Sequence, residues 1–373
     1  MAAVAIAVSF FVIIVAVAVS SGFRYAVRDG VAAMCGDIRI QPYAPGGHDA
    51  PPMSATFPSR VLFESMPEVE SMTPAVVRAG VVKSGDLVQG VVVKGVPAAS
   101  GAPSEPLGVS IPHRLAEVTG VGVGDQMVTY FIGEKVRVRK FLVTALHRDI
   151  VETDDNLLVY ARLEDMQRLN GWSEEEVSCL DVLLKPMARG REHVENLSGE
   201  MSFLMMESGV PEEENLHAVA STRTFPQVFD WLELLDFNVL IVLILMTVVA
   251  GFNMVSGLLI MLLRNISTIG TLKTLGMTNA QVGRLFLRIG AGGAFKGMLM
   301  GNAAALLFCF IQGTWHVIPL DPANYFVSWV PVHIDVLWIL MADAAAFLGI
   351  LALLWLPTLL VARIDPAATV KAE

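Results

Sequence analysis

Four stretches of the chain lack the alternation of apolar and polar positions that a water-facing element needs. Met1–Phe23 and Phe237–Leu263 carry no charge, Ile289–Leu320 carries only Lys296, and Val336–Ala362 only Asp343. About 20 consecutive apolar residues cross the hydrocarbon core as a helix, so these stretches predict four transmembrane helices. The segment between the first two reads differently. Short β-branched runs bounded by Gly, Pro and Asp predict strands at Asp37–Gln41, Ala75–Val82, Leu87–Val96, Gln126–Phe131, Val136–Leu146, Asn156–Ala161 and Leu180–Lys185. Apolar residues at helical spacing predict helices over Ile111–Thr119, Leu163–Asn170 and Gly190–Ser208, while Pro42–Pro58 and Pro97–Pro106 read as surface loops. An α+β domain is thus inserted between the first and second spans.

Composition agrees: 54% of the 373 residues are hydrophobic and 17% charged, with mean hydropathy +0.58. Those values exclude a disordered chain, a collagen, a secreted disulfide scaffold and a plain cytosolic enzyme. Val31–Asp230 holds 17 Lys and Arg against 28 Asp and Glu, a net −11 in a chain of net −10. Such an acidic domain repels phosphate backbones, so nucleic acid is not an expected partner. The connector after the second span holds Arg264, Lys273, Arg284 and Arg288 and no acid, whereas the one from Gln312 to Asp335 holds Asp321 and Asp335 and no base. By the positive-inside rule the former is cytoplasmic, both termini lie inside and the inserted domain lies outside; Arg24 and Arg28 oppose this and are outweighed. The resulting division is a span at 1–23, an outer domain at 24–236, a span at 237–263, a cytoplasmic connector at 264–288, a span at 289–312, an outer loop at 313–335, a span at 336–362 and a cytoplasmic tail at 363–373. The chain opens inside a hydrophobic run with no basic flank, which points to a short leader ahead of it rather than to a cleaved signal peptide.

Catalytic chemistry is not legible in the outer domain. The seven His show no metal-ligand spacing, no Ser sits in a G-x-S-x-G turn, and the acidic runs Asp154–Asp155, Glu174–Glu176 and Glu212–Glu214 read as solvated loops and helix ends. Neither a catalytic group, a cofactor nor a metal is expected. Cys35 and Cys179 both fall outside, where oxidation is permitted, but nothing in the sequence brings them together.

The connector Arg264–Arg288 carries more information. Gly276 stands where a helix needs a left-handed cap, and Thr278 with Gln281 forms a capping box that opens the next helix. Ile266, Ile269, Leu272 and Leu275 recur as an apolar stripe on the preceding helix, which either docks a partner or lies on the membrane surface. Gly293, Gly297, Gly301 and Ala305 repeat every four residues in the third span, a pattern that lets helix backbones approach, within the subunit or across an interface. Lys296 and Asp343 each lie about 10 Å deep and form a pair if the third and fourth spans are neighbours; otherwise Lys296 snorkels inward and Asp343 faces a hydrated crevice or bonds a neighbouring hydroxyl.

The sequence resembles the FtsX-like and MacB-like ABC transporter permeases, most closely the lipoprotein-releasing LolC/LolE type. The resemblance rests on Leu272-Lys-Thr-Leu-Gly276 before a capped helix, Ser21-Gly-Phe23 with Arg28-Asp29, Leu87–Gly95, Gly122-Val-Gly-Asp125, Phe229–Asn253 and Arg363-Ile-Asp-Pro366, in that family's order. It departs at Val109-Ser-Ile-Pro-His113, where many members have a Gly-containing turn. It implies a membrane protein of four transmembrane α-helices with an α+β MacB-like periplasmic domain between helices 1 and 2, in the inner membrane. It also implies ATPase coupling through Ile269, Leu272, Lys273, Thr274, Leu275 and Gly276. No G-x-x-x-x-G-K-[ST] phosphate loop is present, so an ATP-binding subunit with a P-loop is expected on a separate chain, beside a second permease copy or paralogue, a lipoprotein cargo and a periplasmic lipoprotein carrier. A permease regulating a cell-wall hydrolase, an efflux permease and a membrane-anchored enzyme are the alternatives.

Overall fold

The computed structural model describes residues 2–43, 51–85, 87–131, 136–147, 157–321, 325 and 327–361, and side chains within 4–355 of these. His48, Asp154, Asp155, the Arg363–Pro366 motif and the tail at 363–373 lie outside the described residues. The chain forms two compact units, one of Met1–Tyr25, Trp231–Pro319 and Trp329–Glu373, the other of Ala26–Asp230 and Leu320–Ser328.

The first unit is helical. It contains most of α1 (Ala2–Cys35), nearly all of α7 (Pro226–Arg264), α8 (Ile266–Thr274), α9 (Asn279–Trp315) and α10 (Val336–Val361). Four of these are long and apolar enough to span a membrane. Its core is mainly aliphatic, with Phe10 packed among Ile6, Ile13, Ala250, Met254, Leu258, Ala346 and Ile350. Phe237, Ile244, Phe252, Leu299, Phe310 and Trp355 stand exposed, as lipid-facing side chains do. Two helices outrun the apolar stretches that announce them. α1 continues past Phe23 through Arg24, Arg28 and Asp29, and α7 begins at Pro226 rather than Phe237. At 1.5 Å per residue the 39 residues of α7 reach about 58 Å, well beyond a hydrocarbon core of about 30 Å. Helicity is set by the backbone and tertiary support, so charges that end a span need not end a helix.

The second unit is a sheet with helices. Its strands are β1 (Ile38–Pro42), β3 (Val69–Ser84), β4 (Leu87–Val96), β5 (Gly108–Pro112), β6 (Gln126–Phe131), β7 (Arg137–His147), β8 (Leu157–Arg162), β10 (Cys179–Leu184) and β11 (Leu216–Ala220), with a separate short pair β2 (Met53–Ser54) and β9 (Glu176–Val177). The order is β11-β1-β10-β3-β4-β8-β5-β7-β6, and β6 also pairs back onto β3 through Gly80–Phe131 and Val82–Thr129. Strand β3, 16 residues long, therefore serves two lobes: Val69–Ala75 pairs with β10, and Val76–Ser84 with β4 in a ring that β6 closes. Gly80 permits that closure, since a Cβ there would stand 2.9 Å from the Thr129 methyl. Helices α2 (Pro58–Glu64), α3 (His113–Thr119), α4 (Leu163–Asn170), α5 (Arg191–Glu207) and α6 (Ser221–Thr224) complete the unit. The helix expected over Ile111–Thr119 starts later: Val109 and Ile111 are fully buried in β5, and Pro112, extended at φ −69° and ψ 148°, precedes the first helical residue.

Candidate functional site

The connector has the two-helix form its sequence predicts. α8 ends in a Schellman motif, with the Met277 amide donating to the Leu272 carbonyl and the Gly276 amide to Lys273, both at 3.0 Å, and Gly276 in the left-handed region at φ +95°. The Thr278 amide donates to Gln281 Oε1 at 2.8 Å, and Thr278 Oγ1 accepts from the Gln281 amide, so α9 opens on a capping box. The expected stripe is split by this geometry. Ile269 is buried in the helical core and Leu272 is half-buried, whereas Leu275, the residue that leaves the helix, is 80% exposed beside exposed Thr274 and Gly276. A tight, capped knuckle thus presents one large apolar side chain and no acid. Lys273 flanks it, half-buried.

The small residues of α9 face inward. Gly297, Gly301 and Ala305 are buried together with Gly290 and Ala294, while Gly293 is half-buried. At Gly301 the backbone of α1 comes so close that an added Cβ would collide with the Ala7 carbonyl and lie 2.8 Å from Phe10 Cβ. At Gly293 the nearest atom is the Met254 methyl of α7, 3.0 Å away. Ala305 packs with Ile14 and Ile339. Asp343 does not pair with Lys296. Its carboxylate accepts a 2.5 Å hydrogen bond from Asn302 Nδ2, and Lys296 is exposed on α9. Lys296 and Asn302 stand on different faces of α9, and the amide, nearer Asp343, takes the role a cation would have had. Asp343 Oδ1 and Asn302 Oδ1 are buried without a hydrogen-bond partner.

A polar centre that the sequence reading passed over lies in the second unit. Asp181 on β10 is 7% exposed and receives Arg39 of β1 through Nε at 2.7 Å and Nη2 at 3.2 Å, and Lys94 of β4 through Nζ at 2.7 Å. Burial pushes the Asp181 carboxyl up, but Arg39 and then Lys94 outweigh it and hold it below its ordinary value. The same cations reach the end of α1: Lys94 Nζ donates to the Ala33 carbonyl and Arg39 Nη2 to the Met34 carbonyl, both at 2.9 Å. Arg189 adds Asp29 of α1 at 2.6 Å and Asp37 at 3.1 Å. Burial raises the Asp37 carboxyl, partly offset by the Leu184 amide and Arg189. Cys179, its thiol pushed up to about 12 by burial, and Cys35 are both free and buried here. The signal was present: Lys94 and Asp181 each interrupt an apolar strand, Leu87–Val96 and Cys179–Leu184, and an isolated charge in such a run needs a partner. Which partner is a matter of register, and register does not show in a single strand's sequence.

Known proteins frame this geometry. The MacB-like periplasmic core domain matches residues 1–200, and the FtsX-like permease C-terminal region matches residues 240–366. Over 99% of this chain and 92% of the relative, the sequence is 24% identical to the lipoprotein-releasing system transmembrane protein LolC of Xylella fastidiosa. It is 30% identical, over 40% of this chain and 38% of the relative, to the lipoprotein-releasing system transmembrane protein LolE of Haemophilus influenzae. The periplasmic region of MacB from Actinobacillus actinomycetemcomitans is 11% identical, covering 53% of this chain and 95% of that one, with a TM-score of 0.34. The chain belongs to the FtsX-like permeases with a MacB-like periplasmic core domain, and within them to the LolC/LolE type. It is a transmembrane permease subunit of an ABC transporter, with four membrane-spanning helices and the α+β domain in the periplasm.

Proposed function

We propose that this permease couples ATP hydrolysis on a separate P-loop subunit to the release of lipoproteins from the inner membrane toward a periplasmic carrier. The similarity to lipoprotein-releasing proteins along 99% of the chain carries the reading. The connector supports it, since the knuckle at Leu275 and Gly276 is a capped, acid-free projection suited to a groove on an ATPase. In this reading the division is that of the hydropathy pattern: spans at 1–23, 237–263, 289–312 and 336–362, the connector at 264–288 and the tail at 363–373 cytoplasmic, and 24–236 and 313–335 periplasmic. A second copy or a paralogue completes the permease pair. Coupling to ATP answers an energetic need, because each acyl CH₂ withdrawn from the bilayer costs about 0.8 kcal/mol.

Leu275→Asp tests the assignment. The variant is expected to insert normally and to lose co-purification with the ATPase together with cargo-stimulated hydrolysis. Full retention of both would contradict the docking role of Leu272, Lys273, Thr274, Leu275 and Gly276.

A further inference from the structure

Helix α1 runs without interruption from Ala2 to Cys35. The last carbonyls of any helix lack intrahelical donors and carry the negative end of the helix dipole. Here two of them, Ala33 and Met34, are taken by Lys94 and Arg39 from different strands of one sheet. Both cations are fixed by a single buried carboxylate, Asp181. Two positive charges against one negative leave a surplus of one, which the helix terminus complements. A step back along the helix, Asp29 meets Arg189, which also holds Asp37 at the entry to β1. The end of the first spanning helix is therefore gripped by β1, β4 and the segment after β10.

We propose that Lys94, Arg39 and Asp181 form the joint that delivers movement of the first spanning helix to the periplasmic sheet, so that they are positioning residues of the transport stroke. The proposal rests on the permease reading above and adds the place where the stroke enters the outer domain. A loop at this junction would absorb an axial displacement by bending. A helix whose carbonyls are bonded to ammonium and guanidinium groups on β1 and β4 hands the displacement to both strands, and through their pairing to β10, β3 and β8. The joint is also releasable. Every link is a hydrogen bond or ion pair, and removing Lys94 leaves Asp181 still paired with Arg39, so no charge is stranded.

Cys35 is a native reporter of the joint, being the last residue of α1 and 4% exposed. In the full chain carrying Cys179→Ala and Cys309→Ala, Lys94→Met is expected to raise the rate of Cys35 modification by a maleimide about tenfold or more, as losing one hydrogen bond from a charged donor does in a local opening equilibrium. Lys94→Arg is expected to restore most of the protection. A rate for Lys94→Met equal to that of the parent would overturn the joint. The second arm reads transmission. Spin labels at Leu87→Cys and Val136→Cys, both exposed in the parent, in a chain otherwise free of cysteine, report the shape of the outer domain in nanodiscs with the ATPase. ATP is expected to shift their distance distribution with Lys94 present and not with Lys94→Met, although the variant still binds the ATPase and hydrolyses ATP. A nucleotide-driven shift that survives Lys94→Met would overturn the proposal while leaving the permease reading intact. A parent chain that fails to bind the ATPase would overturn the permease reading, and the transmission role with it.

Discussion

Gly292 and Gly301 sit on the same helix under opposite constraints. A Cβ at Gly292 meets nothing within 4 Å, so Gly292→Ala should stabilise the helical unit slightly, by about 0.5–1 kcal/mol, through helix propensity alone. A Cβ at Gly301 collides with the α1 backbone, which cannot yield as a side chain can; Gly301→Ala should cost about 1–3 kcal/mol and Gly301→Val should prevent assembly. Thermal unfolding of the two alanine variants in one detergent checks the sign of each. Asn302 makes a comparable prediction. Asn302→Leu strips Asp343 of its donor and should destabilise the same unit by about 1–3 kcal/mol, whereas Lys296→Leu, at an exposed position, should not. The residue scale is where sequence reading was weakest. The four-residue repeat flagged Gly293, Gly297, Gly301 and Ala305, yet Gly290 and Ala294 share the buried face because a straight helix turns every 3.6 residues and a strict repeat of four drifts off it. Lys296 and Asp343 were visible as costly charges, but the partner of Asp343 is a neutral amide that hydropathy does not mark.

Elements were legible where turn residues bound a β-branched run or where buried and wet positions alternate. Leu87–Val96, Gln126–Phe131 and Leu163–Asn170 occupy the ranges their patterns predict. β5 was missed because all five of its residues are buried, so the strand has no alternation, and because Pro112 stands at the start of the next helix. β11 and α2 also lacked a periodic signal, and the extensions of α1 and α7 carry charges that read as the ends of spans. The end of α1 yields a prediction at this scale. Asp181→Asn leaves Arg39 and Lys94 buried without their counter-charge and should destabilise β1 and β10 by about 3–5 kcal/mol, read as lost hydrogen-exchange protection of their amides in the full chain. Because the Asp181 carboxyl is held below its ordinary value in the folded protein, the unfolded chain takes up the proton first on acidification. The contribution of Asp181 is therefore fully present above the ordinary carboxylate pKa of about 3.9 and fades below it, so the gap between parent and Asp181→Asn should narrow as pH falls through that range.

At the scale of the whole molecule, hydropathy and charge asymmetry supplied the four spans and the acidic insertion, because a bilayer imposes its constraints on every residue of a span. The ring of strands that β6 closes, and the convergence of β1 and β4 on the end of α1, depend on pairings between segments far apart in sequence. The connector lies between these cases: its glycine stop and capping box are local chemistry and were readable, while the inward turn of Ile269 is set by packing. In the proposed mechanism an ATPase bound at the knuckle moves the helices, and α1 passes the movement to the periplasmic sheet. The most direct test is release of a radiolabelled lipoprotein from proteoliposomes holding this permease, its partner permease copy and the P-loop ATPase, with a soluble carrier outside. Release is expected to require ATP and to be abolished by Leu275→Asp without loss of the permease from the membrane. ATP-dependent release at the parental rate by the Leu275→Asp variant, or release of equal extent with no ATPase present, would contradict the proposed mechanism.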